Sequence, residues 1–142
     1  MHYLFANCRQ LNNLNLSMFD TSSVTDMNNM FAKCYNLISL DISKFNVSNV
    51  YHMHYMFQDC YSLSSLDLSN FETTNINKTH NMFDNCTSLN NINLSRFDTS
   101  KVTHMGSIFK NCTSLTSLDL SNFDMSKVEN MDYMFYNCSN LE

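Results

Sequence analysis

Six cysteines, Cys8, Cys34, Cys60, Cys86, Cys112 and Cys138, and five histidines, His2, His52, His54, His80 and His104, carry the most versatile chemistry in this chain. An even cysteine count suggests disulfides or thiolate metal ligands, and imidazoles can complete a zinc site. The cysteines, however, recur every 26 residues without an insertion. Each therefore occupies the same place in a repeating unit, and none shares a unit with another. If equivalent positions sit on successive stacked helices, their Cα atoms lie beyond the roughly 7 Å that a disulfide spans. The expectation is free, buried thiols that act as small apolar residues of low reactivity. His2, His54 and His80 share one column and His52 and His104 another. Helices about 8–10 Å apart would hold such side chains too widely for an ion with bonds near 2.1 Å. The histidines are read as solvent-facing, with no metal and no cofactor expected.

The acidic residues offer a different chemistry. Asn15, Asp41, Asp67, Asn93 and Asp119 recur at one outward position, beside small polar residues such as Ser43, Ser69, Ser95 and Ser121. Neighbouring carboxylates there would repel by only about 1 kcal/mol in water, so no bound cation need be invoked. Asp41, Asp67, Asn93 and Asp119 are candidates for an interaction surface; the plainer reading is a hydrated face that keeps the array soluble. All seven tyrosines lie outside the apolar columns. On a helix Tyr51 with Tyr55, and Tyr133 with Tyr136, would share outward stripes, and exposed tyrosine suits protein contact. No Ser, His and acid combination, paired carboxylates or phosphate loop rises above what the repeat dictates, so an enzyme is not expected.

The elements that must position these residues follow from the same period. Phe5, Phe31, Phe57, Phe83, Phe109 and Phe135 also recur every 26 residues, and fixed spacing of this kind indicates a solenoid. One unit reads MFDNCTSLNNINLSRFDTSKVTHMGS, Met82 to Ser107. Within a unit Leu63, Leu66, Leu68 and Phe71 contain the alternation of a short strand. Val24, Met27, Met30, Phe31 and Cys34 are spaced as one stripe of a helix. Ser22, Ser48, Thr74, Ser100 and Ser126 stand where N-caps are expected, Ser126 with Glu129 at capping-box spacing. Asn7, Asn85, Asn111 and Asn137 suit left-handed backbone in a chain with a single glycine. Thr79 interrupts a methionine column and marks the third helix as the loosest. Strands about 4.8 Å apart and helices 8–10 Å apart predict a curved array, strands inside.

Composition excludes other classes. A net charge of −5, with 8 Lys and Arg and no basic run, argues against nucleic acid. No stretch approaches the roughly 20 apolar residues of a membrane-spanning helix, and no secretory signal opens the chain.

The units MFxxCxxLxxLDLSxFxTSxVxxM, as in Met56–Ile76 and Ile108–Met131, resemble the BspA-like leucine-rich repeat surface proteins. The resemblance covers the whole chain and implies a non-catalytic, cell-surface or extracellular module of bacterial type that binds or adheres to a host or extracellular matrix protein. The expected fold is an α/β solenoid of the leucine-rich-repeat kind: a right-handed coil of parallel strands and short helices, about five and a half units of 26 residues. Residues 1–142 read as one array without polar caps, a fragment of a longer solenoid whose open ends invite self-association. A spacer or self-assembling stalk is the alternative function.

Overall fold

Each 26-residue unit forms one rung, and successive rungs stack in register through the whole of residues 1–142 of the computed structural model. Two strands, β1 (Ser65–Asp67) and β2 (Asn91–Asn93), pair in parallel with Ser65 opposite Asn91 and Asp67 opposite Asn93. A second parallel ladder, one residue wide, joins Asp26, His52, Lys78, His104 and Asn130. Both ladders keep an offset of one unit, as the apolar columns demand: any slip would take Leu66 off the core.

The expected helices do not form: β1 and β2 are the only regular elements of the chain. Met27, Met30, Phe31 and Cys34 are buried together as the stripe requires, but by tight turns. Met30 N–H donates to Met27 C=O and Cys34 N–H to Phe31 C=O, each closing a turn. Asn29 and Lys33, third in those turns, have φ of 54° and 62°, the type II signature. Alternate N–H groups leave the rung: those of Met27, Asn29, Phe31 and Lys33 donate to the carbonyls of His52, His54, Met56 and Gln58. A helix would direct those groups along its own axis and leave none for a neighbour. Two columns of left-handed residues run through the array, one from Tyr3 to Tyr133 and one from Asn7 to Asn137; the second includes all four predicted asparagines.

With turns in place of helices, the mismatch expected to bend the array is much smaller. Phe5, Phe31, Phe57, Phe83, Phe109 and Phe135 stack ring on ring with centroids 5.4–5.8 Å apart and planes within 9°. That is close to the spacing of strands, far below that of helices.

The predicted N-caps also do other work. Ser22, Ser48, Ser100 and Ser126 each give a backbone N–H to the side-chain oxygen of the Asp or Asn two residues earlier, at 2.8–3.0 Å. There is no helix for them to cap, and Ser126 and Glu129 form no capping box. Between the two halves of three of the rungs, Thr21, Thr73 and Thr99 are buried and donate their hydroxyls to carbonyls of the next rung. Buried polar groups are thereby paired across rungs. Some are not: Thr79 is fully buried with no partner for Oγ1, and Asp84 Oδ1 and the Nδ1 atoms of His52, His54 and His80 also lack one. The backbone bonds of Thr79 to His104 and Met82 are intact, so its fault lies in one hydroxyl.

Candidate functional site

On the strand face the Asp and Asn column ends each strand segment with a local turn. Asn15, Asp41, Asp67, Asn93 and Asp119 each accept the N–H of the serine two residues on, at 2.9–3.1 Å. For Asp67 and Asp119 the backbone N–H of Ser69 and Ser121, followed by the serine hydroxyl, holds the carboxyl below the usual carboxylate range. At Asp41 the Ser43 hydroxyl leads and its N–H follows. These groups are ionised at neutral pH.

The column borders two troughs. Asp67, Asn93 and Asp119 lie along a trough of about 470 Å³ over β1 and β2. Asp41 borders a second trough, about 340 Å³, with Asn15 and Lys44. Both are open, the first mainly polar and the second floored by Leu14, Leu16 and Phe45, and neither has the convergent groups of a catalytic pocket.

The tyrosines depart from the helical expectation. Tyr133 and Tyr136 are exposed and meet edge to face at 5.7 Å. Tyr51 is exposed, but Tyr55 turns inward against the rings of His54 and His80 at 5.6 and 5.1 Å. Without a helix, a spacing of four does not place two side chains on one stripe. An aromatic pair unremarked in sequence is Tyr35 on Tyr61, centroids 5.0 Å apart, with the Arg9 guanidinium 5.2 Å from the Tyr35 ring. Their spacing of one unit was the available signal.

The histidine and cysteine columns are also closer than helices would allow. His54 and His80 stack with centroids 4.7 Å apart and are half-buried, not solvent-facing. Burial, then His54, His104 and Lys78, pushes His80 down to about 4, and burial lowers His54 as well. The distance argument against disulfides fails for the same reason, since rungs stack at strand spacing. What occupies each thiol is a hydrogen bond: Cys34, Cys60, Cys86, Cys112 and Cys138 point Sγ at the carbonyl of the phenylalanine one rung back, at 3.0–3.3 Å. All six cysteines are free. Burial raises the thiols of Cys34 to about 11 and Cys112 to about 12, and those of Cys60 and Cys86 further. Cys8 is exposed and Cys138 half-buried, because each has a neighbouring rung on one side only. Beside this column an unpredicted side-chain ladder links Asn137, Asn111, Asn85 and Asp59, each amide donating to the rung before at 2.7–3.0 Å.

The family described as "Mycoplasma protein of unknown function, DUF285" matches residues 1–94 and again 64–142. Among solved structures, a leucine-rich repeat protein of T. pallidum superposes with a TM-score of 0.55 at 19% identity, over 80% of this chain and 48% of its own. A leucine-rich repeat protein of Bacteroides ovatus ATCC 8483 gives 0.54 at 20% identity, over 100% and 39%. The chain thus spans less than half the length of either, and the likeness establishes a leucine-rich-repeat type of fold. No curated protein matches it in sequence.

Proposed function

Because the chain belongs to the DUF285 family, whose function is unknown, we propose a role from its own surface: non-catalytic recognition of a protein partner along the strand face. The observation that carries this reading is the trough over β1 and β2, where Asp67 and Asp119 are ionised and held in place. Each carboxylate accepts the serine N–H on Oδ1 to close its own turn, which fixes the direction in which the exposed group points. In-register rungs hold these acceptors at fixed intervals, so a basic or donor-rich segment meets a preorganised row instead of mobile side chains. The exposed Tyr133 and Tyr136 supply a further contact patch on the turn side. The resemblance to surface leucine-rich repeat proteins supports a cell-surface setting and a host or matrix protein as partner.

The test is capture of extracellular matrix proteins on a biosensor by the wild-type chain and by Asp67→Asn with Asp119→Asn. Asparagine preserves the local turn, as native Asn93 shows, and removes only charge. Loss of capture with unchanged thermal unfolding supports the strand face; unaltered capture by the double variant removes it. A spacer or stalk is the second reading, favoured by the phenylalanine stack and the amide ladder that tie rung to rung. It predicts concentration-dependent end-to-end association in light scattering.

A further inference from the structure

The single glycine, Gly106, stands in the histidine column, where successive rungs carry His54, His80, Gly106 and Asp132. The backbone does not call for it: Gly106 has no positive φ, and the left-handed residue of that turn is Ser107. Its effect is to end a stack. His54 and His80 lie ring on ring at 4.7 Å and 16°, and the continuation of that stack falls where Gly106 has no side chain. An open slot of about 360 Å³ lies beside Gly106, bordered by His80, His104, Asn130, Asp132 and Tyr133.

The walls of the slot define what fits it. Asp132 accepts the Asn130 amide on Oδ2 at 3.0 Å, which leaves Oδ1 free. The Oδ1 of Asn130 leans over Gly106, where an added Cβ would come within 2.3 Å of it, and it accepts no hydrogen bond. No lysine or arginine borders the slot. The imidazole of His80 is neutral at pH 7, since burial and the nearby His54, His104 and Lys78 push its titration down to about 4. The slot therefore offers a flat uncharged π face, a carboxylate and an amide carbonyl. A planar cation that stacks through its face and donates from its edge satisfies all three, which describes a guanidinium. An ammonium has no face to stack, and an aromatic ring would leave the carboxylate unpaired.

We propose that the slot at Gly106 receives an arginine side chain of a protein partner, its guanidinium stacked on His80 and hydrogen-bonded to Asp132. The contact lies on the turn side, away from the trough over β1 and β2, so it stands independently of the strand-face reading.

The test is an NMR titration of the ¹⁵N-labelled full chain with N-acetyl-L-arginine amide and, separately, with N-acetyl-L-lysine amide. The arginine probe is expected to shift the Gly106 amide and the His80 ring protons with a saturable, millimolar curve. The lysine probe should bind at least about fivefold more weakly, for want of a stacking plane. Asp132→Asn, at an exposed position, should weaken the arginine curve by about tenfold through loss of the charge-assisted bond. Gly106→Ala should weaken it too, because the added Cβ would collide with Asn130 Oδ1 and push that wall of the slot aside. Equal curves for the two probes, an arginine curve indifferent to Asp132→Asn, or no saturable shift at Gly106 and His80 would each overturn the proposal.

Discussion

Replacing Thr79 with valine should stabilise the protein. The column around it carries Met27, Met53 and Met105, and Thr79 is 0% exposed with no partner for its hydroxyl. Valine matches threonine in shape and replaces the hydroxyl with a methyl group, so the change reads mainly the desolvation of an unpaired buried polar group. That term is about 1–3 kcal/mol, which for a chain of this length corresponds to a rise of about 3–10 °C in Tm. The backbone bonds from Thr79 N–H to His104 and from Met82 N–H to Thr79 C=O do not involve the side chain and persist. Thr73 provides the opposite sign for the same chemical change. Its hydroxyl donates to Asp98 C=O at 2.8 Å, so Thr73→Val should lose about 1 kcal/mol. Urea unfolding followed by circular dichroism, with the slope m checked for constancy, reads both values. A neutral or destabilising Thr79→Val would show that the hydroxyl is paired in solution and refute the reasoning. Thr79→Met should restore the column and add about 0.8 kcal/mol per buried methylene equivalent where Met53 and Met105 make room.

The remaining expectations concern charge, thiols and backbone. His54 and His80 titrate below the ordinary 6.5 when folded, so the unfolded chain binds more protons and stability falls with acid. The urea midpoint should decline from pH 7 towards pH 5, and His80→Gln should flatten that decline; a midpoint that rises on acidification would contradict it. Thiol titration of the native protein should find Cys8 fast, Cys138 slower and the four buried cysteines silent, with six thiols on unfolding without reductant. Fewer than six would indicate a bridge. Lys33 holds φ at 62° in a column otherwise rich in asparagine; Lys33→Asn should gain about 0.5–1 kcal/mol in the same urea assay, since left-handed backbone costs a residue such as lysine about 1–2 kcal/mol.

Much of the architecture is legible in the spacing. The unit length, the in-register stacking and the burial of Phe31, Phe57, Phe83 and Phe109 all follow from columns that recur without insertion. So does the left-handed role of Asn7, Asn85, Asn111 and Asn137. The candidate site is less legible. The outward position of Asp41, Asp67, Asn93 and Asp119 can be read from strand alternation, but their partition between two troughs cannot. The pairing of Tyr51 with Tyr55 rested on a helix, and it disappears with the helix, while the Tyr55 contact to His80 takes its place.

What the sequence alone determined is which side chains lie inside, because an apolar column repeated every 26 residues can be buried only by stacking on its own copies. The tertiary structure decided how the backbone delivers them there. Apolar residues three apart suit a helix and a chain of tight turns equally, and the choice depends on where alternate N–H groups find acceptors. In Met27 to Lys33 they find them on the next rung, at a spacing too small for helices. That spacing then sets the histidine stack, the thiol bonds and the amide ladder, none of which exists within a single unit.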